Sequence, residues 1–254
     1  MGSRLPAACA LAILWANARA QVPLAPFEVV SVKVHANAAD TNMSIGTPPG
    51  GQLSCSNANL RALIAYAYDV RDYQILNTPA WAETDRYDIA AKLSEQDAAQ
   101  EPPLFSDAAL ERSRTRTKEL LAARFGLRLH EEQKQMDVYS LVVAKNGPKL
   151  RPTTSTRVIP MTSFNPTSVT CEKVTLARFA RILLSNRMGR YVTDNTGLTG
   201  EYDFEMKFQP DTAHDGSGPS FANALEEQLG LRLVAAKGPV PFLIVDHAEK
   251  ASAN

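Results

Sequence analysis

Neither sign of charge is in surplus in this chain: 27 Lys and Arg stand against 27 Asp and Glu over 254 residues. Covering nucleic-acid phosphates takes an excess of basic side chains on one face, so nucleic acid is not an expected partner. Also missing are the Gly-rich phosphate loop, the dinucleotide fingerprint and the Gly-x-Ser-x-Gly elbow, which removes the common nucleotide-binding and α/β-hydrolase readings. Histidine is scarce too. His35, His130, His214 and His247 include no pair at the i, i+4 spacing of a helix-borne zinc site, and His130-Glu131-Glu132 lacks a zincin's second histidine, so neither metal nor cofactor is expected. What is present, 44% hydrophobic and 21% charged residues, is ordinary globular composition.

The first twenty residues read as a secretory signal: Arg4, a largely apolar run from Leu5 to Trp15, and an A-x-A cleavage site at Ala18-Arg19-Ala20. That run falls short of the roughly 20 apolar residues a membrane-spanning helix needs, and no later segment approaches it. A secreted or periplasmic protein beginning at Gln21 is therefore expected, without a transmembrane segment. Cys9 would leave with the signal. Cys55 and Cys171 would then sit in an oxidising compartment, either bonded to each other or buried as small apolar residues.

Internal repetition organises the rest. One copy covers about 53–150 and another about 169–249. Each opens on a strand with a cysteine, Leu53-Ser54-Cys55 or Val169-Thr170-Cys171, and continues into an amphipathic helix. The helical stripes are Leu60, Leu63, Ile64, Ala67 and Leu176, Phe179, Ala180, Leu183, preceded by the N-cap candidates Asn59 and Thr175. Next come a short strand, a turn, and the matching strands Tyr87-Asp88-Ile89 and Tyr202-Asp203-Phe204. After a variable polar loop, a second helix ends in Gly126-Leu127-Arg128-Leu129 or Gly230-Leu231-Arg232-Leu233, with glycine where a C-cap needs positive φ. The apolar segments Val138 to Val143 and Val240 to Val245 are expected to close each copy as a hairpin.

The expected fold is α+β: two tandem β-α-β-β-α-β-β units with helices packed on small mixed sheets, and an extra N-terminal strand from the alternating Val30, Val32 and Val34. The division is a signal at 1–20, a first unit at 21–151, a Thr-, Ser- and Pro-rich connector at 152–168, and a second unit at 169–254.

The element order, with helix-Gly-Leu-x-Leu before an apolar segment, resembles the secretin and TonB short N-terminal domain in topology and spacing. That resemblance implies partner docking without chemistry. A closer likeness rests on Phe27-Glu28-Val29-Val30-Ser31-Val32-Lys33, Leu63-Ile64-Ala65-Tyr66-Ala67-Tyr68, Pro79-Ala80-Trp81, Arg86-Tyr87-Asp88-Ile89 and Asp194-Asn195-Thr196-Gly197-Leu198-Thr199-Gly200. In these motifs the chain resembles the Solibacter-type secreted family of unknown function. Related domains also occur behind antirepressor-type membrane metallopeptidase sensors, which implies an extracytoplasmic sensing role.

Candidate site residues are few. Asp194-Asn195-Thr196-Gly197 lacks the Asp-Thr-Gly contiguity of an aspartyl protease and reads as a turn, leaving Asp194 as surface. Trp81 and Tyr73, with Tyr66 and Tyr68, are either a ligand groove or core. The basic run Arg112, Arg114, Arg116 and Lys118 reads as an exposed helix face. The expected function is a non-catalytic binding, scaffold or sensor-like module, with an unknown envelope protein or small ligand as partner. The rival is a cell-envelope hydrolase with a site between the units, using Asp88, Asp203 or His130.

Overall fold

Local rules set the helices. In a computed structural model describing residues 24–37, 39–157, 159–210 and 218–251, α1 (Leu60–Tyr68) starts where the Asn59 side chain accepts the Ala62 N–H. Its stripe Leu60, Leu63, Ile64 and Ala67 is fully buried. Thr175 caps α5 (Leu176–Arg178) through the Arg178 N–H. α5 continues through a π-helical stretch (Phe179–Leu184) into α6 (Ser185–Met188). The π turn holds one extra residue, so the stripe arrives one position late: Leu184 is buried where α periodicity predicted Leu183. The expected signal at 1–20 and His214 lie outside the described residues.

The chain is α+β, with three four-stranded sheets. The part of the chain read from the sequence as the first copy, a label kept below for position in the chain as the second copy is for the remainder, supplies β1 (Val29–Val34), β2 (Ser44–Gly46), β3 (Leu53–Ala58), β4 (Ile75–Leu76), α2 (Trp81–Thr84), β5 (Tyr87–Lys92), α3 (Glu95–Ala98), α4 (Asp107–Phe125) and β6 (Arg128–Val143). The second copy begins with β7 (Arg151–Pro152), β8 (Met161–Asn165) and β9 (Ser168–Thr175). After α6 come β10 (Val192–Asp194), β11 (Glu201–Lys207), α7 (Phe221–Leu229) and β12 (Leu231–His247). One antiparallel sheet is ordered β1-β5-β3-β2 and its counterpart β7-β11-β9-β8, so the N-terminal strand pairs with β5 and has β7 as its equivalent. The stretch expected as a connector thus carries β8, which folds back on β9 with Asn165 opposite Ser168.

The middle sheet differs from the sequence expectation. No copy closes on its own hairpin. β6 and β12 run straight for 16 and 17 residues and pair antiparallel with each other, from Leu231 opposite Val143 to His247 opposite Arg128. Between Leu129 and Val138 stands His-Glu-Glu-Gln-Lys-Gln-Met-Asp, which has no Gly, Pro or Asn to reverse the chain. At the matching place in β12, Gly238 pairs with Met136 within the ladder.

The edges of this sheet are exchanged reciprocally. β4 of the first copy lies parallel to β12, and β10 of the second lies parallel to β6, giving the order β10-β6-β12-β4. Leu243 and Val245 of β12 are therefore buried in the first copy's core, with Leu63, Ile64 and Phe125. Leu141 of β6 is buried in the second copy's core, with Phe179, Met206 and Leu225. Burying each such side chain contributes about 1.5–3 kcal/mol, so each copy depends on strands the other supplies.

Candidate functional site

The repeated Tyr-Asp pair turns out to be structural. Asn57 in β3 and Lys173 in β9 occupy the left-handed region at φ 53° and 59°, where each strand bulges. Asp88 Oδ1 accepts the Asn57 N–H at 3.0 Å, and Asp203 Oδ1 accepts the Lys173 N–H at 2.8 Å. An amide freed from the ladder is thereby satisfied in each copy. Burial pushes Asp88 upward, but the Asn57 N–H and His35, whose Nδ1 lies 2.8 Å away, outweigh it and hold the carboxyl below its ordinary range. The Thr153 hydroxyl, then the Lys173 N–H, do the same for Asp203.

His130 stands on β6 with Nδ1 2.9 Å from Asp246 Oδ1 and Nε2 3.4 Å from Glu132, and these two acids raise its pKa. Asp88, Asp203 and His130 thus lie in three different sheets, each held by its own neighbours. They form no joint acid–base set. Among the described residues no group of three His, Cys, Asp or Glu side chains is placed to hold a metal ion.

Cys55 and Cys171 are free, each buried in its own core, so the bond considered from the sequence is not formed. Burial pushes both thiols up to about 12, which leaves them unreactive. Asp194 Oδ1 accepts the Thr196 N–H at 3.0 Å and its hydroxyl at 2.8 Å, a turn completed by Gly197 at φ 69°. Trp81 packs half-buried on the first core with Lys250 Nζ 6.0 Å from its ring centroid, and Tyr73 is exposed at the edge of Phe242. These three residues occupy separate elements and do not converge.

The basic run is not one exposed face. Residues two apart do not share a side of a helix. Arg116 is 2% exposed and pairs with Glu101 at 2.7 Å, whereas Arg114 reaches Asp69 at 2.7 Å.

What the fold does assemble is a cleft of about 490 Å³ between the two copies. Its first wall begins at the end of α1, where Asp69 takes the left-handed cap conformation at φ 54° and turns Val70, Arg71 and Gln74 across the gap. The second wall is the π-helical stretch with Tyr191, and Pro241 and Leu243 of β12 lie at the back. Arg71 crosses between them, donating to the carbonyls of Arg181 and Ile182 at 3.1 Å each and to Asn186 Oδ1. Gln74, 2% exposed, accepts the Arg71 N–H and donates to the Pro241 carbonyl at 2.7 Å. Asp69 is shared by Arg114 from α4 and Arg181 from the second copy. Lys118 Nζ rests 4.9 Å from the Tyr68 ring centroid. Interruptions of the π type often mark functional positions, and here the stretch supplies two of the cleft's fixed carbonyls.

A family model described as "Protein of unknown function (DUF3738)" matches residues 61–248. The chain belongs to the DUF3738 family. No curated protein and no solved structure matches it. The DUF3738 match runs from α1 past the end of β12 and so contains every residue lining the cleft. Except for Lys118, Tyr68 and, within a failed zincin comparison, Glu131, sequence reading singled out none of these residues. The one local signal was Asp69-Val70-Arg71, charged residues directly after an apolar helix, and its meaning depends on Arg181, more than a hundred positions away. Among the described residues no helix is long and apolar enough to cross a membrane.

Proposed function

We propose that this DUF3738 protein is an exported, extracytoplasmic binding module whose ligand occupies the cleft between its two copies. One observation carries the reading: both copies contribute walls to a cavity of small-molecule size, held open by the Arg71 crossing. Arg71 has its acceptors in place, so the cleft is preorganised and binding need not order it first. The signal-like first twenty residues and the likeness to secreted sensor-associated domains support an extracytoplasmic role. The hydrolase alternative gains nothing from the cleft, because of its two carboxylates Asp69 is held between two arginines and Glu131 is exposed and accepts from Gln133.

The test is a thermal-shift screen of small metabolites on the mature chain and on Ile182→Trp, which fills the cleft from the π-helical wall. Compounds that raise the melting temperature of the first should lose their effect on the second. Hits that stabilise both equally, or reproducible hydrolytic turnover by the pure protein, would refute the proposal. Fractionation of expressing cells checks the location, and retention in the cytoplasm counts against it.

A further inference from the structure

We infer that the cleft selects small organic anions: an acidic head seated at Lys118, with an apolar body lying against Val70, Ile182 and Leu243. This rests on the reading of the cleft as the ligand site. The chain as a whole is neutral, yet the cleft is lined by Arg71, Arg181 and Lys118 against Asp69 and Glu131, and Arg114 reaches Asp69 from outside the lining. A local excess of one sign in a recess concentrates ions of the other.

The three lining cations are not equivalent. Arg71 spends its guanidinium on two carbonyls and Asn186. Arg114 and Arg181 divide Asp69 between them. Lys118 is half-buried at the wall and has no carboxylate partner among the described residues, its recorded contact being the face of Tyr68. An ammonium on an aromatic face keeps its donors for an incoming acceptor. A carboxylate there would share the cleft with Arg181, and the buried Leu243 with the half-buried Val70 and Ile182 offers apolar surface for the remainder. A cationic ligand would find Asp69 already held by two arginines, leaving only the exposed Glu131 to answer it.

Three probes of one size and different charge decide the matter: phenylacetate, phenylethanol and phenylethylamine, titrated into the mature chain by NMR. A charge-assisted contact is worth roughly tenfold or more in affinity, so phenylacetate should bind about tenfold more tightly than the other two. Its binding should weaken with added salt, and Lys118→Met, which keeps the stem on Tyr68, should erase the preference. The salt series on the unaltered protein gives the same answer should that variant fold poorly. Equal binding of the alcohol or amine, phenylacetate affinity unchanged by Lys118→Met or by salt, or no saturable phenylacetate binding would overturn the inference. If all three bind alike and Ile182→Trp abolishes them, the cleft remains a ligand site without charge selection. Probes that bind but are indifferent to Ile182→Trp would remove both readings together.

Discussion

Replacing Leu243 by alanine should destabilise the copy to which this residue does not belong in sequence. Leu243 is 4% exposed, stands opposite Ile75, and packs among the first copy's core side chains although β12 follows α7 of the second. Truncating a leucine so enclosed removes its transfer free energy and leaves a cavity, a loss of about 3 kcal/mol. Native-state hydrogen exchange reads the effect directly, since about 3 kcal/mol speeds exchange of amides that open with that core about a hundredfold. The affected amides should include those of α1, β3 and β5. Leu141→Ala is the reciprocal case: a first-copy residue buried in the second core, with the loss expected in β9, β11 and α7. Had each copy closed as its own hairpin, Leu243→Ala would weaken only second-copy elements. Loss of protection confined to β9, β11 and α7 in that variant would refute the exchanged-strand arrangement.

Asp88→Asn, which keeps an acceptor oxygen but loses its charge, should lower stability by about 1 kcal/mol by weakening the acceptor for the buried Asn57 N–H, seen in urea melts. Because the folded Asp88 pKa is depressed, its contribution is present above the unfolded carboxylate value near about pH 4 and is lost as pH falls through the lower folded value. The variant should therefore show a shallower acid limb, and an unchanged limb would contradict the assignment. Cys55 and Cys171 should resist alkylation in the native protein and both react in denaturant without reductant, as mass spectrometry can count; a disulfide-linked product would contradict the buried free thiols. Two glycines with positive φ should respond differently to alanine. At Gly197 nothing lies within 4 Å of an added Cβ, so Gly197→Ala should cost only the backbone term of about 1–2 kcal/mol, whereas at Gly230 the Cβ would stand 2.0 Å from the Gly147 carbonyl oxygen. Thermal melts should therefore show Gly230→Ala far more damaging, and similar losses at both positions would contradict the close approach.

The parts of this fold legible in the sequence are those decided within a few residues. The α1 stripe, the caps at Asn59 and Thr175, and the C-cap glycines Gly126 and Gly230 all follow from spacing and local chemistry. The recurrence of Tyr-Asp was visible too, but its purpose depends on a bulge in the neighbouring strand. Strand exchange was hidden because β6 and β12 carry the same apolar pattern whichever copy they complete. The π turn was equally silent, since it shifts the buried position by one residue without a Gly or Pro to mark it. Arg116 shows the limit of composition: a basic run suggested solvent, and the approach of Glu101 and of the Ala25 carbonyl makes burial of the charge tolerable. The cleft was least legible, because its charged residues acquire partners only once two distant copies interlock.

Exchange of the last strand also imposes an order in time. Leu243 and Val245 complete the first core, the Glu249 N–H reaches the Phe125 carbonyl at 2.7 Å, and Lys250 pairs with Asp85 at 2.7 Å. During synthesis the earlier copy therefore waits, unfinished, for residues that begin at Leu243, well after its own last strand has been made. Any factor that holds the chain unfolded until it is complete, translocation across a membrane included, would suit this topology, because the nascent first half has no finished state to fall into.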